Sequence, residues 1–333
     1  MNDSVDLSIS IVNTSNWQFL QPCLESIYQN VKGISFEILV VDNASTDGSR
    51  DQIINHFPNV ILTENEKRFG FAQNNNLNLE KASGRYLMLL NDDTLVLPDS
   101  LEKAIRYLDA NPQVGMLGCE MVSPNGEYQV ASARKNRTLL SEFLIETGIN
   151  RKINYIDPTP KVGGEAVKID LPSEAGMIVR REVYDQVGPL DDAFFMYGEG
   201  ADWSFRIKKA GWKIGFLPGS KIIHYGDQTN RRVKQSMYLQ FYKSTYLFIK
   251  KKNSSMGWLY RLFILIIFPI KKMVARITSV IKGGATREEA IRRIPYYDAL
   301  IDLFSHRLSE ESYPLPGISS ELSSSEDRLK QRF

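Results

Sequence analysis

The 333-residue sequence has few of the features that mark several large classes of protein. Its two cysteines, Cys23 and Cys119, are too few for a disulfide framework, and their apolar surroundings predict buried thiols in a reducing compartment. A net charge of +2 gives no indication of nucleic acid binding. The N-terminal residues are acidic and lack the pattern of a signal peptide, so we expect a cytoplasmic protein.

The N-terminal third shows alternating patterns that predict an α/β fold. Short apolar or β-branched runs predict strands at 7–12, 37–41, 60–63 and 86–90. Helical periodicity lies between them at 17–30, 47–57 and 70–81. Because this alternation is typical of right-handed βαβ crossovers, we expect a mostly parallel sheet flanked by helices.

Weaker patterns follow this block. Asp99 and Glu102 predict a capping box at the start of a helix that runs to Ala110, and 114–119 predicts another buried strand. Residues 121–170 have little periodicity and several prolines and glycines, so we expect a loop-rich excursion over the active face of the sheet. A second ordered block, 176–226, contains a predicted helix at 201–210 that ends at Gly211.

The sequence changes in character after Gln235. Residues 237–249 are aromatic with a helical period, lysines at 250–252 interrupt them, and 258–270 form an apolar run. That run is shorter than the ~20 residues of a bilayer-spanning helix and contains Arg261 and Pro269. A helix in the membrane surface, with contact through 246–276, suits it better than a buried helix or a dimer interface. We expect three regions, namely 1–235, a helical extension at 236–304 and a disordered polar tail at 305–333.

Two adjacent acids stand where the fourth predicted strand ends, in Asn91-Asp92-Asp93. In an open α/β sheet, ligands bind in the crevice beyond the carboxyl ends of the strands. A site of one or two carboxylates completed by phosphate oxygens suits Mg²⁺ or Mn²⁺. The alternative interpretation is an ordinary solvated β-turn, since Asn and Asp are common turn residues.

Two further polar clusters belong to the same predicted edge. Asp42 ends the second strand, where its carboxylate can accept hydrogen bonds from a ribose or a base, although Ser45 and Asp47 also suit a helix N-cap network. Glu199 and Asp202 lie three residues apart among aromatic residues, which favour a raised pKa and a general base. Stabilisation of a helix N-terminus by these acids is the alternative.

With these clusters together, the chain resembles the family 2 glycosyltransferases of the GT-A fold, particularly the bacterial rhamnosyltransferase-like branch. The resemblance covers about residues 7–227. It depends on motifs that follow the family's order: Thr14-Ser15-Asn16, VVDNASTDGS, Gly70-Phe71-Ala72 with Asn75-Asn76, LNDDT, MIVRREV, VGPLDD, FFMYGE, LPG and the segment that ends at His224.

The resemblance implies a Rossmann-like GT-A domain that binds a nucleoside-diphosphate-sugar together with Mg²⁺ or Mn²⁺. It implies that Asp42 contacts the base or ribose, that Asp93 is a direct metal ligand and that His224 adds a ligand to the metal or the diphosphate. A structural role is the alternative for this lone histidine. The donor-binding residues that the matching motifs imply are Thr14, Asn16, Asp42, Asn43, Arg68, Asn75 and Asp92.

The reaction that the resemblance implies is a single displacement with inversion at the anomeric carbon. The branch favours a rhamnose donor and a glycan or polyprenyl-linked acceptor, with the protein peripheral on the inner face of the cell membrane.

The sequence departs from the family pattern at the position of the general base. The family's Glu-Asp-x-Asp appears here as Glu199-Gly200-Ala201-Asp202, so that Gly200 stands where the base is common. We expect Glu199 to serve instead, with Asp202 as the alternative. Arg68 is a second departure, because asparagine is more usual there.

Two other functions compete with this interpretation. The departure at Gly200 allows a catalytically inactive, nucleotide-sugar-binding scaffold at the membrane. A nucleotidyltransferase also uses an α/β sheet and metal-binding acids, but its Gly-rich basic phosphate loop is missing from 10–17.

Overall fold

The computed structural model describes residues 5–153, 166–226 and 234–306, which divide into two compact units. The first unit comprises 5–136, 166–192 and 199–226, and the second comprises 137–153, 193–198 and 234–306. Part of the predicted excursion, 154–165, lies outside the described residues, as does the predicted polar tail from residue 307 on.

The first unit contains the central sheet. Its strands are β1 (Leu7–Asn13), β2 (Phe36–Asp42), β3 (Ile61–Glu64), β4 (Tyr86–Asn91), β5 (Thr94–Val96), β6 (Val114–Val122), β7 (Ala133–Arg134), β8 (Val167–Lys168), β9 (Leu171–Pro172), β10 (Gly176–Arg180) and β11 (Lys213–His224). The order is β3-β2-β1-β4-β10-β6-β11-β5, with β8 on β11, while β7 and β9 form a separate antiparallel pair. Strands β3, β2, β1 and β4 are parallel, as are β6 and β11, which confirms the mostly parallel α/β prediction. Strand β10 is antiparallel to both of its neighbours.

The helices of the first unit cover both faces of this sheet. They are α1 (Trp17–Asn30), α2 (Ser49–His56), α3 (Phe71–Lys81), α4 (Ser100–Ala110), α6 (Arg181–Val187) and α7 (Glu199–Lys209). Side chains of β4 alternate between two apolar clusters: Met88 packs in the cluster with Leu24, and Leu89 in the one with Trp203. Because both faces of the sheet are buried, its strands have continuous apolar sequences, and this is why they can be predicted from the sequence.

The capping box predicted at Asp99 is wrong. Asp99 has a φ of 60° and its side chain makes no cap hydrogen bond. It pairs instead with Lys103 and Arg106, and the Glu102 carboxylate accepts from the backbone N–H of Lys32. With its backbone in the left-handed region, Asp99 directs its carboxylate to the Lys103 and Arg106 side chains and not to the free N–H groups of the helix.

The second unit is helical. It contains α5 (Leu139–Glu146), α8 (Lys234–Lys252), α9 (Ser254–Ile281) and α10 (Gly284–Ser305). Helix α5 falls inside the predicted loop-rich excursion, where a Thr138–Ser141 capping box begins it. The lysines at 250–252 form the last turn of α8, which ends at Lys252, and α9 begins at Ser254. Pro269 lies within α9. Among the described residues, no helix is long and apolar enough to cross a membrane.

Candidate active site

The topology collects the polar clusters of the first unit at one edge of the sheet. Asn13 pairs with Asp42 at the ends of β1 and β2, and Val12 pairs with Asn91 at the end of β4. Because these strands are parallel, their carboxyl ends lie side by side. Strand β11 reaches the same edge, where its last residue, His224, pairs with Thr94 of β5.

Asp42 is the centre of a hydrogen-bond network between the first two strand ends. Its side chain is buried, with Asn13 Nδ2 donating to Oδ1 at 3.1 Å and the Ser45 N–H donating to Oδ2 at 3.3 Å. Asn13 Nδ2 also donates to Ser45 Oγ at 3.0 Å. Asp47 accepts from the Ser49 N–H at 3.1 Å and from the Trp17 N–H at 2.9 Å. Asp42 therefore lies at the predicted strand end, and Ser45 and Asp47 form a hydrogen-bond network in the turn that follows it. The two interpretations of this segment are compatible.

Asn43 fixes the loop before α3 against the same edge. Its Nδ2 donates to Thr14 Oγ1 at 3.3 Å and to the Phe69 carbonyl at 3.2 Å, and its Oδ1 accepts from the Phe69 N–H at 2.8 Å. The bonds to Phe69 hold the neighbouring Arg68, which is partly exposed, beside this edge. Thr14 and Asn43 thus lie at the same edge as Asp42, with the backbone of Phe69 bonded to Asn43.

Asn75 lies elsewhere. Its buried amide accepts from Ser10 Oγ at 2.7 Å and donates to the Phe71 carbonyl at 3.0 Å. Since Ser10 is in the middle of β1, this side chain lies beneath the sheet and links α3 to it. The placement favours a structural role for Asn75 over contact with a ligand at the edge.

Asp92 and Asp93 form an adjacent pair of acids at the end of β4. Burial and the neighbouring Asp93 carboxylate raise the pKa of Asp92 to about 8, and a contact with the Asn16 side chain only partly offsets them. Two carboxylates held together in a poorly solvated place attract a cation, because the cation removes their mutual repulsion.

His224 faces this pair. Its Nε2 lies 3.4 Å from Asp93 Oδ1, and its Nδ1 lies 2.9 Å from Gln129 Oε1. Gln129 Nε2 also donates to the His224 carbonyl at 2.6 Å, which fixes the orientation of the glutamine amide. With Oε1 toward the ring, the glutamine favours the tautomer that has its proton on Nδ1. That tautomer leaves the Nε2 lone pair for a metal ion, which is the usual arrangement around a histidine ligand.

The donor set fits a divalent cation that takes further ligands from a substrate. Asp93 and His224 supply one carboxylate and one imidazole, and no group of three or more His, Cys, Asp or Glu side chains suited to a metal occurs in the described ranges. Mg²⁺ and Mn²⁺ sites are commonly completed by phosphate oxygens and water.

The predicted base residues lie at the start of α7. Asp202 is buried and accepts from Arg206 Nε at 2.7 Å, while Arg206 also donates to the carbonyls of Val187 and Pro189. Glu199 is 1% exposed. The structure thus places Asp202 in an ion pair that anchors α7, and Glu199 in the interior.

Sequence reasoning missed Gln129 and Glu174. Glu174 lies between β9 and β10, and its Oε1 accepts from the Gly200 N–H at 2.8 Å. For Glu174 the sequence gives one indirect signal, namely that Gly200 stands where an acid is expected. We find no sequence signal for Gln129.

The cysteines are buried, as predicted. Burial raises the pKa of Cys23 to about 12 and that of Cys119 to about 11. Neither thiol is therefore suited to act as a nucleophile at neutral pH.

Comparison with known proteins agrees with this geometry. Residues 8–186 match the family model described as "Glycosyl transferase family 2". The N-acetylglucosaminyl-diphospho-decaprenol L-rhamnosyltransferase of Mycobacterium tuberculosis is 26% identical over 241 residues, covering 66% of this chain and 76% of the relative. Rhamnosyltransferase WbbL of Escherichia coli K12 is 26% identical over 255 residues, covering 74% of this chain and 93% of the relative.

Two solved structures share the fold at low sequence identity. The mannosyltransferase PcManGT from Pyrobaculum calidifontis, in complex with GDP-Man and Mn²⁺, has a TM-score of 0.55 and 13% identity, covering 98% of this chain and 88% of its own. GalNAc-T7 with UDP, GalNAc and Mn²⁺ has a TM-score of 0.54 and 18% identity, covering 66% of this chain and 43% of its own.

Proposed function

Because this chain belongs to glycosyl transferase family 2, we propose that it transfers rhamnose from a nucleoside-diphosphate donor to a hydroxyl of a lipid-linked glycan, with inversion. The family match confirms the predicted resemblance, and the structural likenesses confirm the predicted GT-A fold. The observation that carries the proposal is the edge itself, where Asp42, Asp92, Asp93 and His224 lie at the ends of neighbouring strands.

The relatives support the choice of sugar and acceptor. Two of them are rhamnosyltransferases by name, and the name of the mycobacterial one specifies a diphospho-decaprenol acceptor. We therefore take deoxythymidine-diphosphate rhamnose as the first donor to test, and an N-acetylglucosaminyl-diphospho-polyprenol as the first acceptor.

The donor occupies the strand-end edge in this proposal. Asp42 accepts hydrogen bonds from the base or ribose, since its network with Asn13 and Ser45 already fixes its orientation. Thr14, Asn16 and Asn43 shape the same pocket, and Arg68 reaches a donor phosphate. Asp93 and His224 would hold Mg²⁺ or Mn²⁺, which offsets the negative charge that develops on the departing diphosphate.

The residues of this chain then have defined tasks in a single displacement. The acceptor hydroxyl oxygen forms a bond to the anomeric carbon on the face opposite the diphosphate. The bond between that carbon and the diphosphate oxygen breaks, and its electron pair leaves with the nucleoside diphosphate. The hydroxyl proton passes to a carboxylate of the protein, a transfer that typically contributes ~10²–10⁴-fold to the rate.

The second unit supports contact with a membrane surface. Large apolar side chains of α9 recur every three or four residues along one face, and all are exposed: Trp258, Leu262, Ile266, Ile270, Met273, Val274, Ile277, Val280 and Ile281. Arg276 and Lys282 are exposed beside them. An apolar helix face with basic residues nearby suits a helix in the plane of an anionic membrane, on the inner face of the cell membrane in this proposal.

A basic cavity in the same unit supports an acidic lipid as the acceptor. The cavity has a volume of about 600 Å³, and its lining includes Arg151, Lys271, Arg292, Arg293, Glu146 and the tyrosines at 238, 296 and 297. Lys271 pairs with Glu146, and Arg292 and Arg293 pair with Glu289, so four cations face one acid of the lining. Guanidinium and phenol groups together suit the oxygens of a phosphate or diphosphate.

Titration of the purified protein with nucleotide-sugars tests the proposed activity. Deoxythymidine-diphosphate rhamnose, UDP-glucose, UDP-N-acetylglucosamine and GDP-mannose are titrated with Mn²⁺ or Mg²⁺, while the heat and the free nucleoside diphosphate are measured. We expect metal-dependent binding and slow hydrolysis of one donor. Binding without turnover across acceptors would favour the inactive scaffold, and binding of no donor by folded protein would contradict the proposal.

Vesicle flotation tests the membrane contact. We expect the wild-type protein to float with vesicles that contain phosphatidylglycerol, and the double variant Ile266→Asp/Met273→Asp to remain behind, because it places charges in the apolar face of α9. Ile54→Asp, at an exposed apolar position of α2, serves as the matched control and is expected to float. Flotation of the double variant at the wild-type level would show that α9 is not the contact.

A further inference from the structure

Glu174 lies at the same edge of the sheet as the acid pair. Strand β10 begins at Gly176, which pairs with Leu90 of the antiparallel neighbour β4. The Asn91 N–H donates to the Ala175 carbonyl at 3.3 Å, so the pairing continues one residue beyond the strands. The next residue back along this segment is Glu174, and the next residue forward after Asn91 is Asp92. The register therefore places Glu174 beside the end of β4.

The Glu174 carboxylate occupies the space that a side chain at position 200 would fill. Its Oε1 accepts from the Gly200 N–H at 2.8 Å, and a Cβ added to Gly200 would lie 2.0 Å from that oxygen. A Cβ at residue 200 and this position of the Glu174 carboxylate exclude each other. Gly200 therefore leaves free the space that the Glu174 carboxylate occupies, so a carboxylate is present at this place although residue 200 does not supply it.

Glu174 is also the most accessible of the three acids at this place. Glu199 is 1% exposed, and Asp202 is 6% exposed and paired with Arg206. Glu174 is partly exposed. Its Oε1 is held by Gly200, while its Oε2 accepts no hydrogen bond from the part of the chain that the structure describes. One oxygen fixes the carboxyl group and the other remains for a ligand, which is the geometry of an oriented base.

We propose that Glu174 is the general base of the transfer reaction, in place of an acid at position 200. The inference rests on the proposed function. As the acceptor oxygen bonds to the anomeric carbon and the nucleoside diphosphate departs with its electron pair, the hydroxyl proton moves to Glu174 Oε2. The protonated carboxyl group releases this proton to solvent after the product leaves.

The surroundings of Glu174 agree with this role. Burial raises the pKa of its carboxyl group, and the nearby Arg134 and the Gly200 N–H offset only part of that effect. A carboxylate with a raised pKa is a stronger proton acceptor than one in water. The short β7–β9 pair places both groups, since Arg134 pairs with Leu171 and the Ser173 N–H donates to the Ser132 carbonyl at 3.1 Å.

Glu174→Gln tests the base directly. The amide keeps an oxygen for the Gly200 N–H but cannot take a proton, so we expect kcat to fall ~10²–10⁴-fold. Binding of deoxythymidine-diphosphate rhamnose with Mn²⁺, measured by calorimetry, is expected to stay within about twofold and shows that the variant is folded. Glu182→Gln, at an exposed position of α6, is the matched control and is expected to retain wild-type kcat.

The pH profile and a relocated carboxylate separate a base from a structural residue. Wild-type kcat is expected to fall at low pH as Glu174 becomes protonated, and this limb is expected to vanish in the residual activity of Glu174→Gln. In Glu174→Ala/Gly200→Asp the clash is removed and a carboxylate is restored at position 200. We expect this double variant to exceed Glu174→Ala at least about tenfold in kcat, whereas Gly200→Asp alone is expected to lose activity.

The outcomes distinguish this inference from the proposed function. If wild-type protein transfers rhamnose and Glu174→Gln retains its kcat while Glu199→Gln loses it, Glu199 is the base and the inference is wrong. Failure of the double variant to exceed Glu174→Ala, together with an unchanged low-pH limb in Glu174→Gln, would also overturn it. If the wild-type protein turns over no donor, the proposed function itself fails.

Discussion

Acidic side chains at the two ends of the central sheet differ in the direction of their pKa shifts: Asp6, Glu37 and Asp109 have lowered pKa values at the amino end, whereas Asp92 and Glu174 have raised ones at the carboxyl end. At the amino end, Arg85 donates to Asp6 at 2.7 Å and to Asp109 at 3.0 Å, and Ser8 and Ser83 donate to Glu37. The Arg85 guanidinium lowers the pKa of Asp109; burial raises those of Asp6 and Glu37, but hydrogen bonds outweigh it and lower both. At the carboxyl end, burial raises the pKa of Asp92 to about 8 and that of Glu174 as well.

This difference distinguishes acids that hold the fold together from acids that bind a ligand. A cavity of about 490 Å³ also lies at the amino end, but its lining holds three arginines and three acids, Arg85, Arg180, Arg181, Asp109, Glu182 and Asp185. Arg85 pairs there with Asp109, and Arg180 lies 3.8 Å from Glu182. At the carboxyl end, no lysine or arginine of the described residues forms an ion pair with Asp92 or Asp93, and the neighbour of Asp93 is the His224 ring, 3.4 Å away. Buried acids without a cationic partner are costly to a fold, and their presence at one end is the reason for proposing the cation and substrate site there.

The largest expected difference is in transfer activity, between a variant that neutralises an acid at the carboxyl end of the sheet and one that neutralises an acid at the amino end. We expect Asp93→Asn to reduce transfer at least about 10³-fold, because several kcal/mol of charge stabilisation are lost with a metal ligand. Calorimetry is expected to show no Mn²⁺-dependent donor binding in this variant. Asp109→Asn is the matched control, with activity expected within about twofold of wild type. Donor affinity unchanged by Asp93→Asn at saturating Mn²⁺ would contradict the assignment of Asp93 as a ligand.

A smaller effect is expected at Gln129, which orients His224. Partners of metal-binding histidines typically contribute 10–100-fold to metal affinity, so Gln129→Ala is expected to raise the Mn²⁺ concentration for half-maximal transfer by about that factor. At saturating Mn²⁺, kcat is expected to return to near the wild-type value. A loss of kcat that Mn²⁺ does not restore would argue against an orienting role.

The smallest effect is a stability difference at the amino end. Arg85 and Asp109 are each more than 40% exposed, so Asp109→Asn is expected to lower the free energy of unfolding by less than about 1 kcal/mol at pH 7. Because the folded pKa of Asp109 lies below 3.8, the wild-type advantage is present above that pH and is lost as the pH falls through the folded pKa. Urea unfolding of both proteins at pH 7 and pH 3 measures it. An advantage that persists or grows at low pH would contradict the ion-pair account.

The sequence predicts the first half of the sheet well because each strand there is buried on both faces. Helix α1 has the predicted bounds, 17–30, and β4 ends within one residue of the predicted position. The clusters at Asp42 and Asp93 are visible for the same reason, since an apolar run that ends in Asn and Asp marks a strand end.

The remaining features depend on contacts between distant residues. Glu174 and Gly200 are 26 positions apart, and Gln129 and His224 are 95 apart, so no local pattern links them. Asp99 shows the reverse problem, because its sequence satisfies a capping box while its left-handed backbone does not. Asn75 likewise lies against the middle of the sheet because Ser10 of β1 donates a hydrogen bond to it, and the sequence motif around Asn75 does not reveal this contact.

A Mn²⁺ titration followed by NMR of the histidine rings tests the central claim most directly. The chain has three histidines, His56, His224 and His306, so two serve as internal controls. In the presence of deoxythymidine diphosphate, the ring signals of His224 are expected to broaden at substoichiometric Mn²⁺, before those of the other two. Asp93→Asn is expected to abolish this selectivity. Equal broadening of all three histidines in the wild-type protein would contradict a metal-assisted donor site at the carboxyl end of the sheet.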